Sequence, residues 1–142
     1  MTPTAEAAPL DAGLRRLGFA PGQVVQELGW DEDADNDLRY AVEDVVGSDL
    51  EDEDYGDVAE AVLLWFRDGD GDLVDTLVDC LTNLADEGFI VLLTPRADRE
   101  GAVQASDVEE SAVTAGLHTA GVANVSPDWL AVRLVSPKGA RR

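Results

Sequence analysis

Residues 60–96 read EAVLLWFRDGDGDLVDTLVDCLTNLADEGFIVLLTPR, and this segment predicts the centre of the fold. The continuous apolar runs 61–66 and 89–94 have the length of buried strands. Four leucines between them recur at the spacing of one helix face: Leu73, Leu77, Leu81 and Leu84. A helix that joins two buried strands makes a βαβ unit, so we expect the strands to be parallel neighbours in one sheet.

The helix of this unit is predicted to span residues 73–86, with Gly88 placed where a C-cap glycine belongs. Leu77 and Leu81 should then face the sheet. The acidic turn before the helix supplies an N-cap, since an aspartate side chain can accept hydrogen bonds from the first free N–H groups. Asp70 and Asp72 are both suitable.

The N-terminal part of the chain has weaker signals. Residues 1–10 are predicted to be disordered, and a short helix should run from Asp11 to Gly18. Residues 23–30 are expected to form the first strand. The single domain is then predicted to span residues 11–135.

A second helix follows, because Leu38, Val42 and Val45 share one helix face. Asp35 or Asn36 should cap it. Residues 47–57 are expected to be a solvated loop with a short edge strand around 49–51.

The C-terminal part is predicted to add a helix and a strand pair. Ser106 and Glu109 have the spacing of a capping box at a helix start. Residues 122–125 and 129–135 read as a β-hairpin, followed by a loose basic tail at 136–142. The fold class is therefore α/β, with a mainly parallel sheet, an antiparallel C-terminal edge and helices in two outer layers.

Charge is the unusual feature of the composition. The chain has 30 acidic and 10 basic residues, for a formal net charge of −20. Residues 27–60, the acidic segment, contain fifteen acids and a single base, Arg39. Such a surface repels phosphates, so we expect neither nucleic acid nor a membrane as partner. It suits a protein with a basic patch, although solubility or adaptation to salt would also produce it.

No targeting or membrane signal is visible. No apolar run approaches 18 residues, and the N-terminus lacks a basic region followed by an apolar one. A cytoplasmic location is therefore expected. Cys80 is the only cysteine, and its place in the apolar helix pattern predicts a buried side chain.

The sequence predicts no catalytic residue, no cofactor and no metal site. Alternating aspartates at 31–37 and 68–72 resemble calcium loops, but neither register supplies glycine at position six or glutamate at position twelve. A nucleotide-type cofactor needs a glycine-rich turn after the first strand, and Gly29 stands there alone. His118, the only histidine, should lie near a helix C-terminus in a structural role.

The three tryptophans are expected to differ in exposure. Trp65 and Trp129 lie in predicted strands and should belong to the core. Trp30 ends the first strand beside the acidic residues, so it is the best candidate for an exposed contact.

Three segments of the chain, 17–22 (LGFAPG), 89–96 and 128–133 (DWLAVR), resemble an actinobacterial family of unknown function. That family is similar to a shortened Rossmann-like domain of the methyltransferase type. The resemblance implies a Rossmann-like sheet over residues 17–135 and carries no assigned activity. It departs from true methyltransferases at the glycine-rich loop, so no cofactor residue is transferred.

Two functions follow as hypotheses. The first is a non-enzymatic protein that binds or regulates another protein through the acidic segment; its candidate contacts are Trp30, Asp52, Glu53, Asp54 and Tyr55. The alternative is a diverged methyltransferase-like enzyme or small-ligand binder. Its site would lie at the C-terminal ends of the parallel strands, near Trp30, 67–70 and 94–96.

Overall fold

The computed structural model describes residues 4–136, and five strands in this part of the chain form one open sheet. The elements follow in the order α1 (Thr4–Leu17), β1 (Val25–Leu28), α2 (Asn36–Val46), β2 (Ala59–Trp65), α3 (Leu73–Cys80), β3 (Leu84–Pro95), α4 (Ala105–Thr114), β4 (His118–Ala123) and β5 (Trp129–Val135). The strand order in the sheet is β1-β2-β3-β5-β4.

The strand pairing confirms the predicted fold class. Strands β1, β2 and β3 are parallel, and β2 and β3 are neighbours with Val62 opposite Ile90. Strand β5 is antiparallel to both β3 and β4 and lies next to the edge. The sheet is thus parallel in its N-terminal part and antiparallel at its C-terminal edge.

Side chains of β2 alternate between two cores, because successive residues of a strand point to opposite faces. Leu63 and Trp65 pack with the apolar faces of α1 and α2. Val62 and Leu64 pack with those of α3 and α4. Helices therefore cover both faces of the sheet, and a strand buried on both faces explains the continuous apolar run.

The predicted core aromatics are buried. Trp65 and Trp129 are 1% and 3% exposed, and their rings meet edge-to-face with centroids 4.9 Å apart. Cys80 is also buried, as predicted, and burial raises the pKa of its thiol to about 12. At neutral pH this group is a small apolar side chain.

Helix α3 is shorter than predicted, and the C-cap role of Gly88 is wrong. The helix ends at Cys80, and Gly88 lies inside β3. A Cβ at Gly88 would stand 2.7 Å from the carbonyl oxygen of Glu60, so this glycine permits a close strand contact. Leu77 is fully buried, and Leu81 packs partly buried beside the same core. Asp72 is the N-cap, accepting from the N–H of Val74 at 2.8 Å.

The predicted capping box is wrong, and β4 is placed differently from the prediction, whereas β5 spans residues 129–135 as predicted. Ser106 lies inside α4, whose N-cap Gln104 makes no side-chain cap bond. Strand β4 begins at His118, so this residue lies in a strand and not at a helix end. Pairing with β5 sets these bounds, since His118 stands opposite Val135. The antiparallel pairing itself is as predicted.

The N-terminal helix is longer than predicted. Helix α1 begins at Thr4, within the segment 1–10 for which disorder was predicted. Residues 1–3 and 137–142 lie outside the described part. Within residues 4–136 no helix has both the length and the apolar character needed to cross a bilayer.

Candidate functional site

The parallel strands β1, β2 and β3 end at one edge of the sheet, where open α/β sheets bind ligands. A cleft of about 460 Å³ lies at this edge. We call it the strand-end cleft, and its lining consists of Leu28, Gly29, Trp30, Asp31, Glu53, Leu64, Trp65, Phe66, Arg67, Asp70, Thr76 and Asp79. Four of these residues are acidic, against one base, so the cleft favours cations.

A second hollow of about 340 Å³ adjoins the first, and we call it the acidic crevice. It is lined by Glu27, Trp30, Arg39, Asp52, Glu53 and Asp54. Trp30 and Glu53 line both hollows. Trp30 is 47% exposed, which confirms that it is an exposed aromatic side chain among carboxylates.

The loop that carries these carboxylates is fastened to β1. The N–H of Glu27 donates to the carbonyl of Glu51 at 2.7 Å, and the N–H of Glu51 donates to the carbonyl of Val25 at 2.8 Å. Where a short edge strand was expected around residues 49–51, the structure has a single parallel β-bridge between Gln26 and Glu51. The buried amide of Gln26 donates to the carbonyls of Asp52 and Tyr55. Residues 51–55 are thus held in place by backbone and side-chain hydrogen bonds.

Glu27 is a buried carboxylate with three donors. Its side-chain oxygens accept from Nε and Nη2 of Arg39, at 2.6 and 2.8 Å, and from Nε1 of Trp65 at 2.8 Å. The hydrogen bond to Glu27 is the main cause that raises the pKa of Arg39. Arg39 also lies over the ring of Trp30, 5.5 Å from its centroid. The charges of Glu27 and Arg39 compensate each other, so the exposed carboxylates give the crevice its negative charge.

Arg67 closes the turn that follows β1. Its guanidinium donates to both carboxylate oxygens of Asp33, and Nη1 donates to the carbonyl of Gly29 at 2.8 Å. The Cζ atom of Arg67 lies over the ring of Trp129, 5.1 Å from its centroid. The hydrogen bond from Arg67 holds the pKa of Asp33 below its ordinary value.

Gly29 is required by a close contact between strands. Its φ is +79°, and a Cβ there would stand 2.2 Å from the carbonyl oxygen of Trp65. The turn after β1 therefore packs directly against the end of β2. This is the position where a glycine-rich loop would approach a cofactor.

The N-terminus of α2 is also occupied by the protein itself. Asp35 caps the helix by accepting from the N–H of Leu38 at 3.1 Å, as one of the two predicted caps. Its other oxygen accepts from the hydroxyl of Ser126 at 2.7 Å. A cleft of about 490 Å³ beside it contains Asp33 and Asp37 in addition, so it does not suit an anion.

The structure brings together four of the five candidate contacts. Trp30, Asp52, Glu53 and Asp54 line the acidic crevice, whereas Tyr55 does not. The hydroxyl of Tyr55 donates to the carbonyl of Val58 at 3.2 Å, and its own carbonyl accepts from Asn83. Tyr55 thus fastens the loop.

The residues of the alternative site are separated. Arg67 and Asp70 line the strand-end cleft, but Thr94 is buried and Arg96 donates to the carbonyl of Ser126. Sequence reasoning did not identify Glu27 and Arg39 as a pair. The available signal for this pair was that Arg39 is the one base among the fifteen acids of residues 27–60.

Within residues 4–136, no group of three or more His, Cys, Asp or Glu side chains is arranged to hold a metal ion.

Comparison with protein families gives a match over residues 14–138 to the family described as "Protein of unknown function (DUF3052)". The chain is 48% identical over 124 residues to the uncharacterized protein Rv2239c of Mycobacterium tuberculosis and, equally, to the uncharacterized protein Mb2263c of Mycobacterium bovis. Each alignment covers 87% of this chain and 78% of the relative. These matches confirm the resemblance inferred from the sequence.

Solved structures of similar fold include the pyocyanin biosynthetic protein PhzM, with a TM-score of 0.66 and 12% identity. Another is the dimethyltransferase RosA from Streptomyces davawensis, at 0.64 and 10%. The chain is covered to 93% and 92%, but it spans only 55% of either protein. A SAM-dependent methyltransferase from Aquifex aeolicus gives 0.55 and 11%, with 94% of this chain and 93% of that protein covered. At these identities the likeness shows a methyltransferase-like fold.

Proposed function

The chain belongs to the DUF3052 family of proteins of unknown function, and we propose that it is a non-enzymatic protein that binds a basic protein through its acidic segment. One observation carries the proposal. The fastened loop 51–55 presents Asp52, Glu53 and Asp54 beside the exposed ring of Trp30.

The fastening of the loop matters because binding costs less when the contacting groups are already ordered. Glu51 is bridged to β1, and the buried side chain of Gln26 donates to two carbonyls of the loop. Carboxylates that serve only solubility need no such hydrogen bonds to hold them in place. A preorganised negative surface instead favours a specific positive one.

Trp30 supplies an aromatic anchor of the kind that concentrates binding energy in protein interfaces. Arg39 already lies over its ring. An arginine or lysine of a partner would find the same attraction to the ring, with the carboxylates of Asp52 and Glu53 close by. The expected partner surface therefore carries several basic side chains.

The competing explanation is that the acidity serves only solubility or adaptation to salt. The two explanations are separated by removing three charges without changing shape. The test variant is Asp52→Asn with Glu53→Gln and Asp54→Asn. The control variant removes three exposed charges from α4, on the opposite side of the sheet from α2, through Asp107→Asn, Glu109→Gln and Glu110→Gln.

Wild type and both variants are used to co-purify partners from the native cell at low and high ionic strength. The test variant should weaken one specific association, chiefly by slowing its on-rate, and the control variant should keep it. The difference should shrink at high salt, because screening removes electrostatic steering. If all three proteins bring down the same partners in the same amounts, the loop is not a contact surface.

The alternative function is a small-ligand binder or a diverged methyltransferase-like enzyme. It is favoured by the methyltransferase-like fold and by the strand-end cleft of about 460 Å³. A thermal-shift screen with S-adenosylmethionine, nucleotides and divalent ions tests it, since a ligand that binds only the folded state raises the melting temperature. Trp30→Ala, which changes the cleft lining, is the matched variant for any compound that gives a shift.

A further inference from the structure

Strand β4 forms the sheet edge opposite to β1, and its outer side is exposed. Thr119, Ala120, Gly121 and Val122 are all exposed, with Val122 at 63%. The N–H and C=O groups on the outer side of an edge strand can pair with a strand of another chain. By contrast, the outer side of β1 is bridged by Glu51.

The sequence around β4 lacks charge. Residues 111–127 read SAVTAGLHTAGVANVSP and contain no aspartate, glutamate, lysine or arginine, although 28% of the chain is charged. Monomeric proteins commonly guard an edge strand with charged side chains or proline. Strand β4 has neither, and its one irregularity is a register shift between Thr119 and Gly121.

An apolar groove of about 130 Å³ continues this surface between α4 and the sheet. Most of its lining is aliphatic, and Glu109 is its one charged residue; the aliphatic residues include Val103, Val108, Val122, Leu130 and Val132. Among residues 4–136 no further strand pairs with the outer side of β4, so the edge of the sheet combines backbone groups open to another strand with exposed apolar side chains. This combination favours pairing with a strand.

We propose that the β4 edge pairs with the β4 edge of a second copy of this chain. The two strands would run antiparallel about a two-fold axis, so that one sheet continues through both copies. This proposal does not depend on the binding of a basic partner by the acidic segment.

Charge explains why the occupant is a second copy. Two chains of net charge −20 repel each other, and residues 111–127 are the longest stretch of the sequence without a charged residue, so pairing there costs less electrostatic repulsion than pairing at an acidic surface. Strands β1 and β4 are separated by four strand spacings, which is roughly 19 Å. The acidic segments then lie at the outer ends of the pair, farther apart than the Debye length of about 8 Å. An acidic or basic partner would find no charge on β4 to pair with.

The test is the oligomeric state of the full chain, measured by sedimentation equilibrium from low micromolar to about 100 µM. We expect a dimer of the wild type. Val122→Lys and, independently, Thr119→Lys should raise its dissociation constant about tenfold or more, because each places two like charges in the paired edge. Val58→Lys is the control, since Val58 is a similarly exposed valine, at 54%, that directly precedes β2, three strand positions away from β4.

The salt dependence of the dimer is an independent test of the proposal. Screening should leave the dimer unchanged or tighten it, because the copies repel elsewhere, whereas it should weaken a contact of the acidic segment with a basic protein. Circular dichroism confirms that each lysine variant is folded. The proposal is overturned by a wild type that is monomeric throughout this range. A dimer that both β4 variants retain would equally overturn it.

Discussion

The guanidinium of Arg67 donates two hydrogen bonds to the carboxylate of Asp33, 34 residues earlier in the chain. The same side chain donates to the carbonyl of Gly29 and lies over the ring of Trp129. It therefore connects the turn after β1 with the end of β2 and the start of β5. The turn that would receive a cofactor in a dinucleotide-binding fold is closed here by the protein's own residues.

Arg67→Met should lower the free energy of unfolding by about 1.5–3 kcal/mol, the range for hydrogen bonds to charged groups. The lower end is expected, because the side chain of Asp33 is 50% exposed and water screens the pair. Urea denaturation measures the change. Arg99→Met is the control, since the pair of Arg99 with Asp128 is about half exposed on both sides and should contribute less than about 0.5 kcal/mol. Equal losses in both variants would contradict the role assigned to Arg67.

The same pair predicts a dependence of stability on pH. Arg67 holds the pKa of Asp33 below its ordinary value, so the folded state binds this proton less readily than the unfolded state. The contribution is present above the unfolded pKa of about 3.9 and is lost as the pH falls through the lower folded pKa. The stability difference between wild type and Asp33→Asn should therefore be constant from about pH 5 to 7 and shrink below about pH 4. A difference unchanged at about pH 3 would refute this.

Gly29→Ala should be more destabilising than Gly22→Ala. Both glycines have positive φ, at +79° and +90°, so both substitutions carry the backbone strain of about 1–2 kcal/mol. A Cβ at Gly29 would stand 2.2 Å from the Trp65 carbonyl oxygen, whereas at Gly22 no atom of residues 4–136 would lie within 4 Å of it. Thermal or urea unfolding of the two variants isolates the contact. If the two variants are equally stable, the turn after β1 moves away from β2 at no cost in the free energy of unfolding.

The parallel sheet could be predicted because its strands are buried on both faces. Val62, Leu63 and Leu64 are each at most 1% exposed, so no polar residue interrupts the run and the strand is visible in the sequence. Leu77 and Cys80 lie three residues apart on the buried face of α3, and this helical spacing makes the helix visible in the sequence as well.

The end of α3 could not be predicted from local spacing. The leucine pattern continues to Leu84, yet Asn83 has partners far along the chain: its carbonyl accepts from the N–H of Ala59, and its side chain donates to Tyr55. These contacts hold residue 83 outside the helix and start β3 one residue later. Local periodicity contains no information about such partners.

The candidate site was only partly visible for the same reason. The acidic residues and Trp30 could be read directly from the sequence, but the hydrogen bonds of Gln26 to loop 51–55 join positions that are 26 and 29 residues apart. The pairing of Glu27 with Arg39 depends on how α2 packs on the sheet. Residue type indicated which groups were present, and only the fold shows which ones meet.

Leu77→Ala should cost about 2–5 kcal/mol, because Leu77 is fully buried between α3 and the sheet and its loss leaves a cavity. Val78→Ala on the same helix is the control. Val78 is 49% exposed, so its truncation should change stability by less than about 0.5 kcal/mol. The chemical denaturation midpoints compare the two. An unchanged midpoint for Leu77→Ala would mean that the buried face of α3 is assigned wrongly.

S-adenosylmethionine is not expected to bind, despite the methyltransferase-like fold. The turn after β1 has the single Gly29, whose carbonyl is engaged by Arg67 and whose backbone packs on Trp65. A ligand therefore cannot approach the backbone as closely as this class of site requires. Calorimetric titration should give no saturable heat, and a dissociation constant in the low micromolar range, about −8 kcal/mol, would contradict the prediction. Arg67→Met is titrated in parallel, because it frees the turn without adding glycines. Binding by that variant alone would identify the Arg67 contacts, and not the missing glycines, as the cause of exclusion.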